Sequence, residues 1–229
     1  MGLEELFGRI EKRFGKEAVV GNDIKVDTVS SGSMALDEIL GGGFALGRIH
    51  EIYGGFSSGK SSAALHLSAS VQKTLGKAVG YVDTEQALDL EYAKALGVDL
   101  SRDKWIMSQP DSAEQALEIV REMLEVPDIG LVVLDSVAGL VPEAVLQGEA
   151  GDAKIALVAR LMSQQLSILK NVCKKNGNIL LCINQTRQKI GGMGFGPTTT
   201  TPGGEALKFY AIVWARKSPM EWKPPTRHK

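Results

Sequence analysis

Apolar and polar positions alternate in blocks along the chain. Short apolar runs at 48–53, 79–83 (VGYVD), 105–108 (WIMS), 129–135 (IGLVVLD), 178–184 (NILLCIN) and 209–215 (FYAIVWA) have the length and composition of strands. Between them, the stretches 60–76, 86–96, 112–126 and 152–175 carry helical patterns. Strands alternating with helices predict an α/β fold, a mostly parallel twisted sheet with helices on both faces. Residues 2–15 form a separate amphipathic pattern, with Leu3, Leu6, Phe7, Ile10 and Phe14 at helical spacing, ended by Gly15 and Gly21-Asn22-Asp23. The organisation read from this is an N-terminal helical arm over 1–24, a core over 25–217 and a basic, Pro-containing tail over 218–229. The stretch 191–204 (GGMGFGPTTTTPGG) has no apolar periodicity and predicts a long loop, which in a compact domain is usually functional or disordered.

Composition narrows the class. At 229 residues, 44% hydrophobic and 23% charged, the chain has the balance of a soluble globular protein with one good core. No run of 18 apolar residues occurs, so no membrane span is expected. The opening MGLEELFGRIEKRF lacks the apolar centre of a secretory signal. Cys173 and Cys182 are the only cysteines, too few for a disulfide framework or a zinc site, and three histidines argue against a histidine metal centre. A reducing, cytoplasmic interior is the expected compartment. The net charge of −1 hides an asymmetry, because residues 180–229 carry +6 and the remainder −7. A basic C-terminal quarter fits a polyanionic partner, and equally a solvated tail.

The candidate chemistry sits at strand ends. Gly54-Gly55-Phe56-Ser57-Ser58-Gly59-Lys60-Ser61-Ser62 follows one apolar run and precedes a helical one, and Gly54 to Ser61 fits GxxxxGK[ST]. In that context backbone N–H groups and a helix N-terminus surround a phosphate, Lys60 reaches its outer oxygens and the Ser61 hydroxyl sits on Mg²⁺. The run Leu131-Val132-Val133-Leu134 ends in Asp135, a carboxylate suited to the metal side of a nucleotide, or else a helix cap ahead of Ser136. Glu85 follows the strand 79–83 and reads either as a base that orients water or as a first-turn glutamate. Gln185 ends the run 178–184, placed to sense a terminal phosphate or simply to cap the strand.

Seven collinear stretches then carry a family resemblance over about 25–216. They are VSSGSMALDEILGGGFALGRIHEIYGGFSSGKSS, DTEQALDLEYAKALGVDL, SQPDSAEQALEI, LVVLDSVAGLVPEAVLQGEAGD, VARLMSQQL, INQTRQKIG and PGGEALKFYA. Together they resemble the bacterial RecA family of recombination ATPases, and RIEKRFGKEAV resembles the end of that family's N-terminal helix, which docks on a neighbouring subunit. The resemblance implies a RecA-like phosphate-loop ATPase core that binds ATP and Mg²⁺, with Ser61 on the metal and Asp135 reaching it through water. It makes Glu85 the catalytic glutamate, acting with Lys60, and Gln185 the γ-phosphate sensor. Asp89 and Tyr92 hold and stack adenine. Residues 143–152 and 186–204 match two disordered DNA-binding loops, the second offering Arg187 and Lys189 to phosphates, glycines (Gly191, Gly192, Gly203, Gly204) to a close backbone and Phe195 as a base-step wedge. Arg160 matches an arginine near DNA, and Lys208 and Phe209 match residues that reach the next subunit.

The implied function is a recombinase core for homologous recombination and DNA repair. It would form filaments on single-stranded DNA and engage duplex DNA in strand exchange, with no membrane partner. The alternative is a RecA-fold mediator that binds ATP, DNA or a recombinase without exchanging strands. Departures bear on the choice: the second loop is about one residue longer than usual, Glu205 stands for an Asn, and Ser167 and Trp214 stand for arginines. The family also continues past the position of residue 229, through a segment whose two lysines reach the neighbour's ATP. From its absence the expectation is a chain that binds nucleotide better than it hydrolyses it, and that self-assembles weakly.

Overall fold

A computed structural model describes residues 2–15, 18, 26–148, 154–188 and 199–217. Its centre is a six-stranded sheet built from β3 (Ile49–Gly54), β4 (Ala78–Asp83), β5 (Trp105–Ser108), β6 (Ile129–Asp135), β7 (Ile179–Gln185) and β10 (Ala211–Lys217). The strand order is β10-β3-β7-β6-β4-β5, and every pairing is parallel. Two short antiparallel pairs lie outside it: β1 (Thr28–Val29) with β2 (Phe44–Ala45), and β8 (Arg187–Gln188) with β9 (Thr199–Thr200). The six predicted strands are all present, two with the predicted bounds and four shifted by one or two residues at their ends.

Alternation along each central strand fills two cores. Leu131 and Val133 of β6, with Ile179, Leu181 and Ile183 of β7, face α3 (Lys60–Leu75) and α4 (Leu90–Ala95). Val132 and Leu134, with Leu180 and Cys182, face α5 (Ala113–Glu125) and α7 (Lys154–Asn176). Strands apolar on both faces are what a sheet sandwiched between helix layers requires. Gly80 in β4 makes room for Met123 of α5, since a Cβ there would lie 2.6 Å from the Met123 sulfur. Both cysteines are buried free thiols, and burial pushes the Cys173 thiol up to about 12, where it is inert.

Several elements differ from the pattern read in the sequence. The helix expected over 86–96 contracts to α4, because the buried Asp83 carboxylate accepts the Glu85 and Leu88 N–H groups and holds 84–88 as a turn. Gln86 in that turn has φ 52°. The strand expected at 209 begins at 211, after the short helix α8 (Ala206–Tyr210) buries Leu207. Within the two expected loops the described residues include α6 (Glu143–Leu146) in the first and β8 and β9 in the second. The β1–β2 pair and α2 (Met34–Ile39) were not foreseen, being too short for periodicity to register. The amphipathic helix α1 (Leu3–Phe14) is present and buries none of its residues, with Leu3, Phe7 and Phe14 exposed. The tail over 218–229 lies outside the described residues. No described helix is long and apolar enough to cross a membrane.

Candidate functional site: a phosphate loop at the sheet's carboxyl edge

Four strands deliver their last residues to one edge. The register pairs Gly54 of β3 with Gln185 of β7, and Asp83 of β4 with Asp135 of β6. From Gly54 the chain turns through Ser57, at φ 51°, and Gly59, at φ 78°, and enters α3 at Lys60. The left-handed Gly59 lets the turn close directly onto the helix, and no side chain caps the first turn of α3. Its leading N–H groups therefore face the loop, the arrangement that binds anions at helix N-termini. The buried Ser58 hydroxyl has no hydrogen-bond partner among the described residues. The Lys60 ammonium lies back on the loop, donating to the Gly55 carbonyl at 2.8 Å and approaching that of Gly54 at 3.5 Å. Burial depresses its pKa, opposed by Asp135 and Glu85. An uncapped helix start, an orphaned hydroxyl and a cation folded onto carbonyls fit a triphosphate.

The contacts around Asp135 are equally specific. Ser61 Oγ donates to Asp135 Oδ2 at 2.8 Å, and the Tyr81 hydroxyl donates to the same oxygen at 2.6 Å. Burial raises the Asp135 pKa against those two hydrogen bonds, and the Glu85 and Asp83 charges raise it further. A carboxylate costly to ionise when alone is one that a divalent cation would stabilise. Asp135 is not a helix cap. The cap of the following 3₁₀ turn, Val137–Gly139, is Ser136, whose hydroxyl accepts the Gly139 N–H.

Glu85 is likewise outside any helix. Its Oε1 accepts the Ser136 hydroxyl at 2.5 Å and the Gln185 amide at 2.7 Å, joining residues 100 positions apart. One oxygen carries both donors, and the other accepts from none of the described residues. Asp89 caps α4 by accepting the Tyr92 N–H at 3.0 Å, and the Tyr92 hydroxyl donates to Ser62 at 3.2 Å. Asp89, Tyr92, Glu85, Asp135, Ser61 and Ser62 line one cavity of about 160 Å³. Lys60, Ser61, Glu85, Asp89, Tyr92, Asp135 and Gln185 are thus gathered at one edge.

The RecA N-terminal domain model matches residues 2–218. The chain belongs to the RecA family. It is 51% identical over 216 residues to protein RecA of Levilactobacillus brevis, covering 92% of this chain and 56% of that protein. Similarity of the same order relates it to the RecA proteins of Latilactobacillus sakei, at 51% with 60% of that protein covered, and Brevibacillus brevis, at 49% with 60% covered. The chain therefore spans about three fifths of the length of the RecA relatives it matches.

The other described RecA-like positions are not part of the lining of that cavity. Arg160 is exposed on α7. Gly203 and Gly204 have φ 88° and 74°, and a Cβ on either would come within 2.9 Å of Val137 or Ala159. Their close approach, in this structure, is to the protein's own core. Phe56 and Phe209 are more than four-fifths exposed, and Lys208 pairs with Glu205 at 2.5 Å. Arg187 lies in β8, whereas Lys189, Gly191, Gly192 and Phe195 lie outside the described residues.

The sequence reading missed the supporting shell. Tyr81, Ser136 and Asp83 were hidden because a Tyr or Asp in a buried strand reads as core or as a strand end. Glu51 was also missed, although a lone acid inside the apolar run 48–53 is a visible signal. It is buried in β3, and burial raises its pKa against the Asn184 hydrogen bond and the Lys208 charge. A carboxyl raised in the folded state favours folding fully below its ordinary value of 4.5 and loses that contribution as pH rises through the folded value. Glu51→Gln removes the titration. Denaturant unfolding across pH 4 to 8 should show stability shifting in favour of the variant, relative to the parent, as pH rises. A difference independent of pH would contradict the raised carboxyl.

Proposed function

We propose that the chain is the ATP-binding core of a RecA-type recombinase, a cytoplasmic DNA-dependent ATPase that assembles on single-stranded DNA for homologous recombination and repair. The observation that carries the reading is the Gln185–Glu85 contact beside the Ser61–Asp135 pair, which supports reading Gln185 as a polar sensor, Glu85 as a base and Asp135 as a metal-side carboxylate. ATP with Mg²⁺ would supply the phosphoryl group and the charge that activates it. The loop N–H groups and Lys60 bind the phosphates. Ser61 and Asp135 hold the metal side, with Asp135 steadied by Tyr81. Glu85, aimed by Ser136 and Gln185, takes the proton of an attacking water on its free oxygen. Asp89 and Tyr92 line the same cavity, and a flat base would stack on Tyr92.

DNA binding rests on the second loop and on α7. Arg187 and Lys189, with Arg160, are the phosphate contacts of this reading, Gly191, Gly192, Gly203 and Gly204 the close backbone, and Phe195 the wedge. Lys208 and Phe209, with α1, form the contacts between copies in a filament.

Two variants separate binding from chemistry. Lys60→Ala should weaken binding of a fluorescent ATP analogue by about 10–100-fold, the loss of one charge-assisted contact. Glu85→Gln should leave that affinity intact while hydrolysis falls by roughly 10²–10⁴-fold. The reading fails if Lys60→Ala binds as the parent does, or if Glu85→Gln turns over normally.

For the nucleic acid, affinity for single-stranded DNA measured over a salt series should fall steeply. Replacing Arg187 and Lys189 by Ala should flatten the slope by about one to two phosphate contacts. An unchanged slope would remove the second loop from the DNA interface.

A further inference from the structure

Asn184, next to the proposed phosphate sensor, is fully buried and makes hydrogen bonds in three directions. Its amide donates to Glu51 Oε1 of β3 at 2.8 Å and to the Pro202 carbonyl at 2.9 Å, and its oxygen accepts the Gln185 N–H at 2.9 Å. Pro202 opens the turn that closes the segment 186–204. Directly after it, Gly203 and Gly204 press on Val137 and Ala159. Val137 follows Ser136, the residue that holds Glu85. The other end of the same segment is tied as well, since the Thr186 N–H donates to the Gly54 carbonyl at 3.2 Å, at the first residue of the phosphate loop.

We infer that Glu51 and Asn184 are positioning residues that clamp the Pro202 end of the 186–204 segment to the strands bearing the phosphate loop and Gln185. The geometry gives the clamp its rigidity. Both N–H donors of Asn184 are used, so its side chain cannot rotate without breaking two buried hydrogen bonds at once. Glu51 sits in a strand paired on both sides, by β10 and β7, and cannot follow a moving loop. Anything that shifts Gln185 at the end of β7 therefore pulls on a side chain that also holds Pro202. A buried carboxyl facing an amide, with burial favouring its neutral form, would be an unneeded expense in a purely structural strand, where an apolar side chain packs as well.

The coupling half of this inference rests on the nucleotide reading above, and the clamp itself does not. Amide hydrogen exchange of the 199–210 segment tests both in the full chain. Without nucleotide, Asn184→Ala and Glu51→Leu should each speed exchange at 203–207 by about tenfold relative to the parent, the loss of roughly one net hydrogen bond. Exchange in α5 should not change, and Glu51→Gln, which keeps the acceptor, should stay within about threefold of the parent. Parental exchange in both Asn184→Ala and Glu51→Leu overturns the clamp. Equal acceleration in α5 for both variants overturns it too, because the effect is then global rather than local. With Mg²⁺ and a non-hydrolysable ATP analogue, the parent should change its exchange at 203–207, and Glu51→Leu should not, although it binds the analogue within about threefold. A parent that binds no analogue overturns the nucleotide reading while leaving the clamp result standing. A Glu51→Leu variant that binds and responds as the parent does overturns the coupling alone.

Discussion

Parallel register at the carboxyl edge of the sheet is the constraint on which the site depends. Backbone hydrogen bonding places Gly54 level with Gln185 and Asp83 level with Asp135. These residues come from distant parts of the sequence, and no local interaction would bring them together. Once the strands are paired, the Gly54–Ser61 loop, Asp135, the turn bearing Glu85 and Gln185 all emerge from one edge. That edge is where open α/β sheets gather their ligands. The register is held in turn by the two apolar cores, since a slip of one residue would exchange the side chains facing α3 and α4 for those facing α5 and α7.

Around that edge the polar groups form a connected set. Tyr81 is wedged against Trp105, the rings stacked 5.4 Å apart, and its hydroxyl reaches the Asp135 carboxylate. Thr84 and Ser136 exchange hydrogen bonds, and Ser136 goes on to Glu85. Asp83 folds the chain after β4 so that Glu85 leaves the strand toward Gln185 and does not start a helix. Asp135, Glu85 and Gln185 are therefore each held by another side chain of this set. Such second contacts fix geometry before any ligand arrives, which is the condition for electrostatic catalysis.

Much of this was legible in the sequence. The six strands followed from apolar runs bounded by Gly, Asp and Asn, and the phosphate loop from the spacing of Gly54, Gly59, Lys60 and Ser61. Glu85 and Gln185 were ambiguous as residues alone, and the resemblance to RecA proteins supplied their roles. The hydrogen bond between them agrees with those roles. What could not be read was whatever depended on tertiary pairing. The turn that displaces the start of α4 is set by a buried Asp83, the residues Phe209 and Tyr210 join a helix because Leu207 finds the core, and the Glu51–Asn184 link spans 133 positions. Periodicity reports which face of an element is buried, not which polar groups meet there.

The most direct test of the central claim is a structure of the chain with Mg²⁺ and a non-hydrolysable ATP analogue. The account requires the β- and γ-phosphates over Gly54–Ser61 and the N-terminus of α3, Lys60 withdrawn from the Gly55 carbonyl, and the metal between Ser61 and Asp135. Phosphates bound elsewhere, with Lys60 still on the loop carbonyls and Ser61 still donating to Asp135, would contradict it.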